Sequence, residues 1–138
     1  MRGGTYYLKG TEYIASKGTA AAPITYRSAP GERAVLDGSR TTDGNLVDVR
    51  GRYNIIRGFE VRNAKNFGII TLGAMYSQIV GNTVHGCWLC ALGLEGGKVG
   101  GDPNPWTVGM KVIGNNVYDN VRAKKAQPKS DTAPSVHA

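Results

Sequence analysis

Apolar residues along this chain come in short runs separated by Gly, Asn and Ser, as in "GIITLGAMYSQIVGNTVHGC" over 68–87. No window repeats at the helical period of 3.6, and each run has strand length. Runs this short cannot bury a core alone. Shifting the sequence against itself shows what they stack on. "NIIRGFEVRN" (54–63), "SQIVGNTVHG" (77–86) and "MKVIGNNVYD" (110–119) align without gaps, superposing Gly58, Gly81 and Gly114 and then Val61, Val84 and Val117, at steps of 23 and 33 residues. A second set, "ITYRSA" (24–29), "LVDVRG" (46–51), "IITLGA" (69–74) and "ALGLEG" (91–96), lies between them. It places Ile24, Val47, Ile70 and Leu92 in one column and Tyr26, Val49, Leu72 and Leu94 in the next, at steps of 23, 23 and 22.

Self-similarity at 20–50 residues marks a repeat architecture. The leucine-rich pattern is absent, and so is the helical period of the longer repeats. Three short strands per repeat, joined by Gly and Asn corners, make one rung of a coil. The fold class is therefore all-β: a single-stranded, right-handed parallel β-helix, a solenoid of about four rungs. Each rung becomes stable only against the next. The repeats occupy 1–121. The remainder, "RAKKAQPKSDTAPSVHA" over 122–138, is polar and aperiodic and is expected to be a disordered tail.

Composition adds little to this. The chain has 138 residues, enough for one domain, and 20 glycines for the corners. No apolar run reaches membrane-spanning length, and "MRGGTYYLKG" at the start has no signal-peptide core. Charge changes the picture more. The net charge is +7, of which the tail carries three and the coils four. A basic surface steers polyanions toward it. Nucleic acid would require basic residues interleaved with aromatics on one face, and no such stripe appears, so nucleic acid is not an expected partner.

The stretch "GGTYYL" (3–8), "APITYRSAPGERAVLDG" (22–38) and "NIIRGFEVRNA" (54–64) resembles the opening coils of the pectate-lyase-like superfamily. The resemblance covers about 3–121. It implies a right-handed β-helix, an extracellular or cell-surface location, acidic polysaccharide as the partner and calcium as a cofactor. Members of this superfamily have more coils and an N-terminal cap, so the chain reads as truncated or uncapped. Self-association through exposed rung ends is expected as the alternative to glycan binding.

The candidate chemistry follows from strand alternation. With Val47 and Val49 inward, Asp48 and Arg50 point outward, and the registration adds Arg27 and Glu95 to a charged stripe. A lyase needs a base and a cation to neutralise a uronate carboxylate. Arg50 and Asp48 are the catalytic candidates, and Arg27, Arg50, Glu95 and Trp106 the substrate-binding ones. The metal candidates, Asp48 and Asp102, are too few for the six to eight oxygens that calcium takes. The plainer reading of the stripe is a solvated face with ion pairs between rungs. The insertion "EGGKVGGDPNPWTVG" (95–109) reads as a loop in which Trp106 either stacks on a sugar ring or folds over the wall. "CWLC" (87–90) reads as two small corner residues, since a reactive thiol pair needs a helix N-terminus. His85 falls on the outward side. Asn82 and Asn115 share a corner and are expected to bond along the axis.

Overall fold

The computed structural model describes residues 1–96 and 106–121. Thirteen strands follow in order: β1 (Gly4–Tyr7), β2 (Glu12–Ile14), β3 (Ile24–Arg27), β4 (Ala34–Asp37), β5 (Val47–Val49), β6 (Asn54–Arg57), β7 (Glu60–Arg62), β8 (Phe67–Leu72), β9 (Gln78–Val80), β10 (Thr83–His85), β11 (Cys90–Glu95), β12 (Lys111–Ile113) and β13 (Asn116–Tyr118). Every strand pairs in parallel with the strand three places on, giving sheets ordered β1-β4-β7-β10-β13, β2-β5-β8-β11 and β3-β6-β9-β12. This is the right-handed parallel β-helix that the repeats predict. Four full turns are present, and β1 adds a fifth strand to the first sheet.

The corner between the third and first sheets explains why the repeat is so visible. Gly58, Gly81 and Gly114 have φ of 72°, 62° and 62°, a left-handed turn that costs a side chain dearly. The next residue in two of the three rungs is Asn. Asn82 Nδ2 donates to Ile56 O at 3.0 Å and to Asn115 Oδ1 at 3.1 Å, while Phe59 N donates to Asn82 Oδ1 at 3.0 Å. Asn115 Nδ2 in turn reaches Ile79 O at 2.8 Å. The two asparagines thus bond along the axis and satisfy corner peptide groups that strand pairing leaves open.

Inside, Tyr6, Leu36, Val61, Val84 and Val117 form one column, which contains the aligned valines. The second wall differs from expectation by one residue. Val47 stands beside Ile69 and Leu92, and Val49 beside Thr71 and Leu94, so Ile70 and Leu72 face outward. Two consecutive residues face inward at the start of this wall, Gly68 and Ile69 like Leu46 and Val47 before them, and a Cβ on Gly68 would meet Val84 Cγ1 at 2.5 Å. Strict alternation fails there, and an apolar residue on either side hides the slip. Ile24 and Tyr26 also leave their expected column. They belong to the third sheet, where Tyr26, Ile56, Ile79 and Val112 align.

Candidate functional site: a basic cleft at the corner after β5

The turn from β5 into β6 runs Arg50–Gly51–Arg52–Tyr53. Gly51 has φ 76°, and a Cβ there would lie 2.3 Å from Ser16 O, so the turn packs directly on the rung before it. Arg52 bridges in parallel to Lys17 on one side and to Met75 on the other. Lys17, Arg50 and Arg52 therefore converge, and with Leu72, Gly73 and Met75 they line a cleft of about 300 Å³.

Arg50 is held in place. Its Nε donates to Asp48 Oδ1 at 3.1 Å and its Nη2 to Asp48 Oδ2 at 3.0 Å, and the guanidinium lies 5.1 Å from the Tyr13 ring centre. Asp48 is buried, whereas the Arg50 side chain remains 36% exposed. The buried carboxylate thus orients a charged fork that remains partly exposed to solvent. Lys17 and Arg52 are exposed, and among the described residues neither forms an ion pair. Three cations against one buried acid leave the cleft net positive.

Of the expected site residues, Arg50 and Asp48 meet, but the wider stripe does not form. Arg27 lies on the third sheet in register with Arg57, and its Nε donates to Ser28 O at 3.2 Å. Glu95 pairs in register with Leu72, which puts it two rungs from Arg50, about 10 Å at normal strand spacing. The face between Asp48 and Glu95 is apolar instead: Phe67, Ile70 and Cys90 are buried there with Leu72 and Leu89, over Gly93. Trp106 is 72% exposed. Asp102 lies outside the described residues, as do 97–105 of the insertion and the tail.

Sequence reading missed a charged network on the outer face of the first sheet. Arg62 Nε donates to Asp37 Oδ2 at 2.7 Å, and Arg62 Nη1 lies 3.5 Å from Glu60 Oε1. Glu60 also takes His85 Nε2 at 2.8 Å and Arg33 Nη1 at 3.4 Å, and the His85 ring stacks on Tyr118 at 4.7 Å. Burial alone would raise the Asp37 carboxyl, but hydrogen bonds from Ser39 and Arg62 outweigh it and hold the pKa at about 2. The His85 hydrogen bond, opposed by burial and helped by Arg33, keeps Glu60 below the usual carboxylate range. The signal was present in the repeat alignment: the residues flanking the aligned valines, Glu60 and Arg62 or Thr83 and His85, are the outward ones.

No protein-family model matches the chain, and no curated protein sequence does. Among solved structures it is similar to the crystal structure of pectate lyase Pel9A, with a TM-score of 0.65 and 23% identity over 86% of this chain and 30% of that one. The fold is that of a pectate-lyase-like β-helix. The chain spans less than a third of the length of that lyase.

Calcium is a cofactor only as the sequence resemblance implies it, and the described residues do not fit it. Both Asp48 oxygens are occupied by Arg50, and no group of three or more His, Cys, Asp or Glu side chains converges among the described residues. The cysteines offer no nucleophile. Cys87 and Cys90 are buried thiols outside any disulfide; burial pushes Cys87 up to about 11 and Cys90 upward as well.

Proposed function

We propose that this domain binds acidic polysaccharide, with the Lys17–Arg50–Arg52 cleft as the contact for uronate carboxylates. The observation that carries this reading is the cleft itself: a guanidinium oriented by a buried carboxylate, flanked by two cations without ion-pair partners among the described residues. A carboxylate accepting from such donors gains charge-assisted hydrogen bonds of roughly 1.5–3 kcal/mol each. The net charge of +7 adds long-range attraction. An extracellular or cell-surface location accords with this reading. Among the described residues, no helix is long and apolar enough to cross a membrane. Little or no bond cleavage is expected from this chain, because a guanidinium suits charge neutralisation and not proton abstraction.

The test is affinity electrophoresis in polygalacturonate and in alginate. Lys17→Ala with Arg52→Ala should weaken retention about tenfold, and salt should do the same to the native protein. Lys9→Ala with Arg40→Ala, which removes the same charge elsewhere, should change little. Equal loss in both pairs would reduce the effect to net charge and reject the cleft. A near-ultraviolet signal from unsaturated product, with or without calcium, would reject the expectation of no turnover.

A second reading, end-to-end self-association, is favoured by the two ends of the described coils. Val112, Ile113 and Val117 on the last rung are each at least 43% exposed, and Leu8, Ile14, Tyr26 and Leu36 line a cavity of about 250 Å³ at the first. Stacking one end on the other would pair strand edges and bury both. Sedimentation at micromolar concentration decides between a monomer and a dimer or filament.

A further inference from the structure

We infer that the corner groove beside the basic cleft is a pyranose-stacking subsite, built on Tyr53 and Tyr76, that takes a uronate residue of an acidic glycan. This rests on the acidic-glycan reading above but on separate residues.

The backbone points to the site first. In successive rungs Lys17, Arg52, Met75 and Val108 are bridged, so the residues that follow them are equivalent: Gly18, Tyr53, Tyr76 and Gly109. Tyr53, Tyr76 and Gly109 have φ of 52°, 50° and 65°. Glycine is the residue suited to that conformation, and a bulky aromatic there is an outlier. Two adjacent rungs nevertheless carry tyrosine in the conformation that the following rung gives to Gly109; Gly18, in the rung before, is not left-handed. Such strain persists where the surroundings enforce it, and it gathers at binding sites. The surroundings here are backbone bonds: Tyr53 N donates to Met75 O at 3.0 Å and Tyr76 N to Val108 O at 2.7 Å.

The rings stack on one another across two rungs. Their centres are 5.3 Å apart at 20°, and a Cβ on Gly109 would lie 2.5 Å from Tyr76 Cδ1, so only glycine lets the Tyr76 ring lie across that rung. Tyr76 remains 47% exposed, and neither hydroxyl is hydrogen-bonded among the described residues. Beside the rings runs a second column, Ile55, Gln78 and Lys111, in strand register on the outer face of the third sheet. With Pro23 these residues enclose a groove of about 250 Å³ along the helix axis. An aromatic wall suits the apolar face of a pyranose, the Gln78 amide offers a donor and an acceptor to hydroxyls, and Lys111 meets a carboxylate. The Lys17–Arg52–Met75 column separates this groove from the basic cleft, so one bent chain of sugars could engage both.

The experiment is calorimetric titration with oligogalacturonate at low and at high salt. The variants are Tyr53→Gly with Tyr76→Gly, Gln78→Ala with Lys111→Ala, and Lys17→Ala with Arg52→Ala. The glycine pair restores the residue that the backbone conformation favours, so the fold should survive. Should it melt early, the Gln78/Lys111 pair, on the outer face, carries the test. The inference expects the glycine pair to lose roughly tenfold in affinity at both salts, and the Gln78/Lys111 pair to weaken binding too. Loss in these pairs with binding retained in the Lys17/Arg52 pair supports the inference and rejects the cleft. Native affinity in both groove pairs overturns the inference while the cleft reading stands. No binding by the native protein overturns both.

Discussion

Asn82→Ala should be among the most destabilising single changes in this molecule, although it removes no apolar surface. The Asn82 side chain is buried, accepts from Phe59 N at 3.0 Å and donates to Ile56 O at 3.0 Å. Alanine leaves both groups in place without a partner. An unsatisfied buried polar group costs about 1–3 kcal/mol, so the two together come to roughly 3–4 kcal/mol once partial hydration is allowed for. Domains of this kind are stable by only about 5–15 kcal/mol, so such a loss is conspicuous. Urea unfolding followed by circular dichroism should show a lower midpoint at unchanged slope. The matched change, Asn115→Ala, should cost less, because its corner lies on an exposed rung and water can replace the bond to Ile79 O. Equal costs, or an Asn82→Ala loss below about 1 kcal/mol, would refute the claim that Asn82 satisfies peptide groups that water cannot reach.

Three further outcomes follow from the same geometry. Asp37 is held at about 2 against an ordinary 3.8, so it stabilises the fold above pH 4, and on the order of 2 kcal/mol should disappear as pH falls from about 4 to 2; Asp37→Asn, compared by thermal melting at pH 7 and pH 2, should be destabilised at the first and nearly native at the second. In the column Tyr26–Ile56–Ile79–Val112, Ile79→Ala should cost about 2–5 kcal/mol and Val112→Ala, 43% exposed, well under that, as read by denaturant midpoints. Cys87 should react with thiol reagents at neutral pH only at the rate of global opening, since its thiolate is suppressed by burial.

The architecture was legible because the interior repeats. Val61, Val84 and Val117 had to recur wherever a strand faces the core, and Gly58, Gly81 and Gly114 wherever the corner turns left-handed. Those constraints come from packing and backbone conformation, which are the same in every rung. Register on the second wall was less legible. There Ile70 and Leu72 cover the outside as Ile69 covers the inside, and a pattern of apolar against polar cannot separate two apolar faces. Placement of β3 failed for a related reason: Ile24 and Tyr26 alternate like any inward pair, and alternation says nothing about which of three walls a strand joins.

The site was legible only in part, because an outer face has no period to enforce it. Asp48 and Arg50 could be paired from sequence, since they lie two apart on one strand. Lys17 and Arg52 join them through an isolated bridge between turns 35 positions apart, and no strand pattern announces that contact. The tyrosines show the same limit from the other side. Gly109 occupies a left-handed position that glycine favours, so it looks like punctuation, and Tyr53 and Tyr76 look like ordinary strand-flanking aromatics. The departure exists only relative to the backbone, where two tyrosines hold φ near 50° in the conformation that Gly109 takes one rung on. A solenoid repeats whatever its fold requires. Tyr53 and Tyr76 depart from the residue their conformation favours, and the stack they make across two rungs shows only once both are placed in one column.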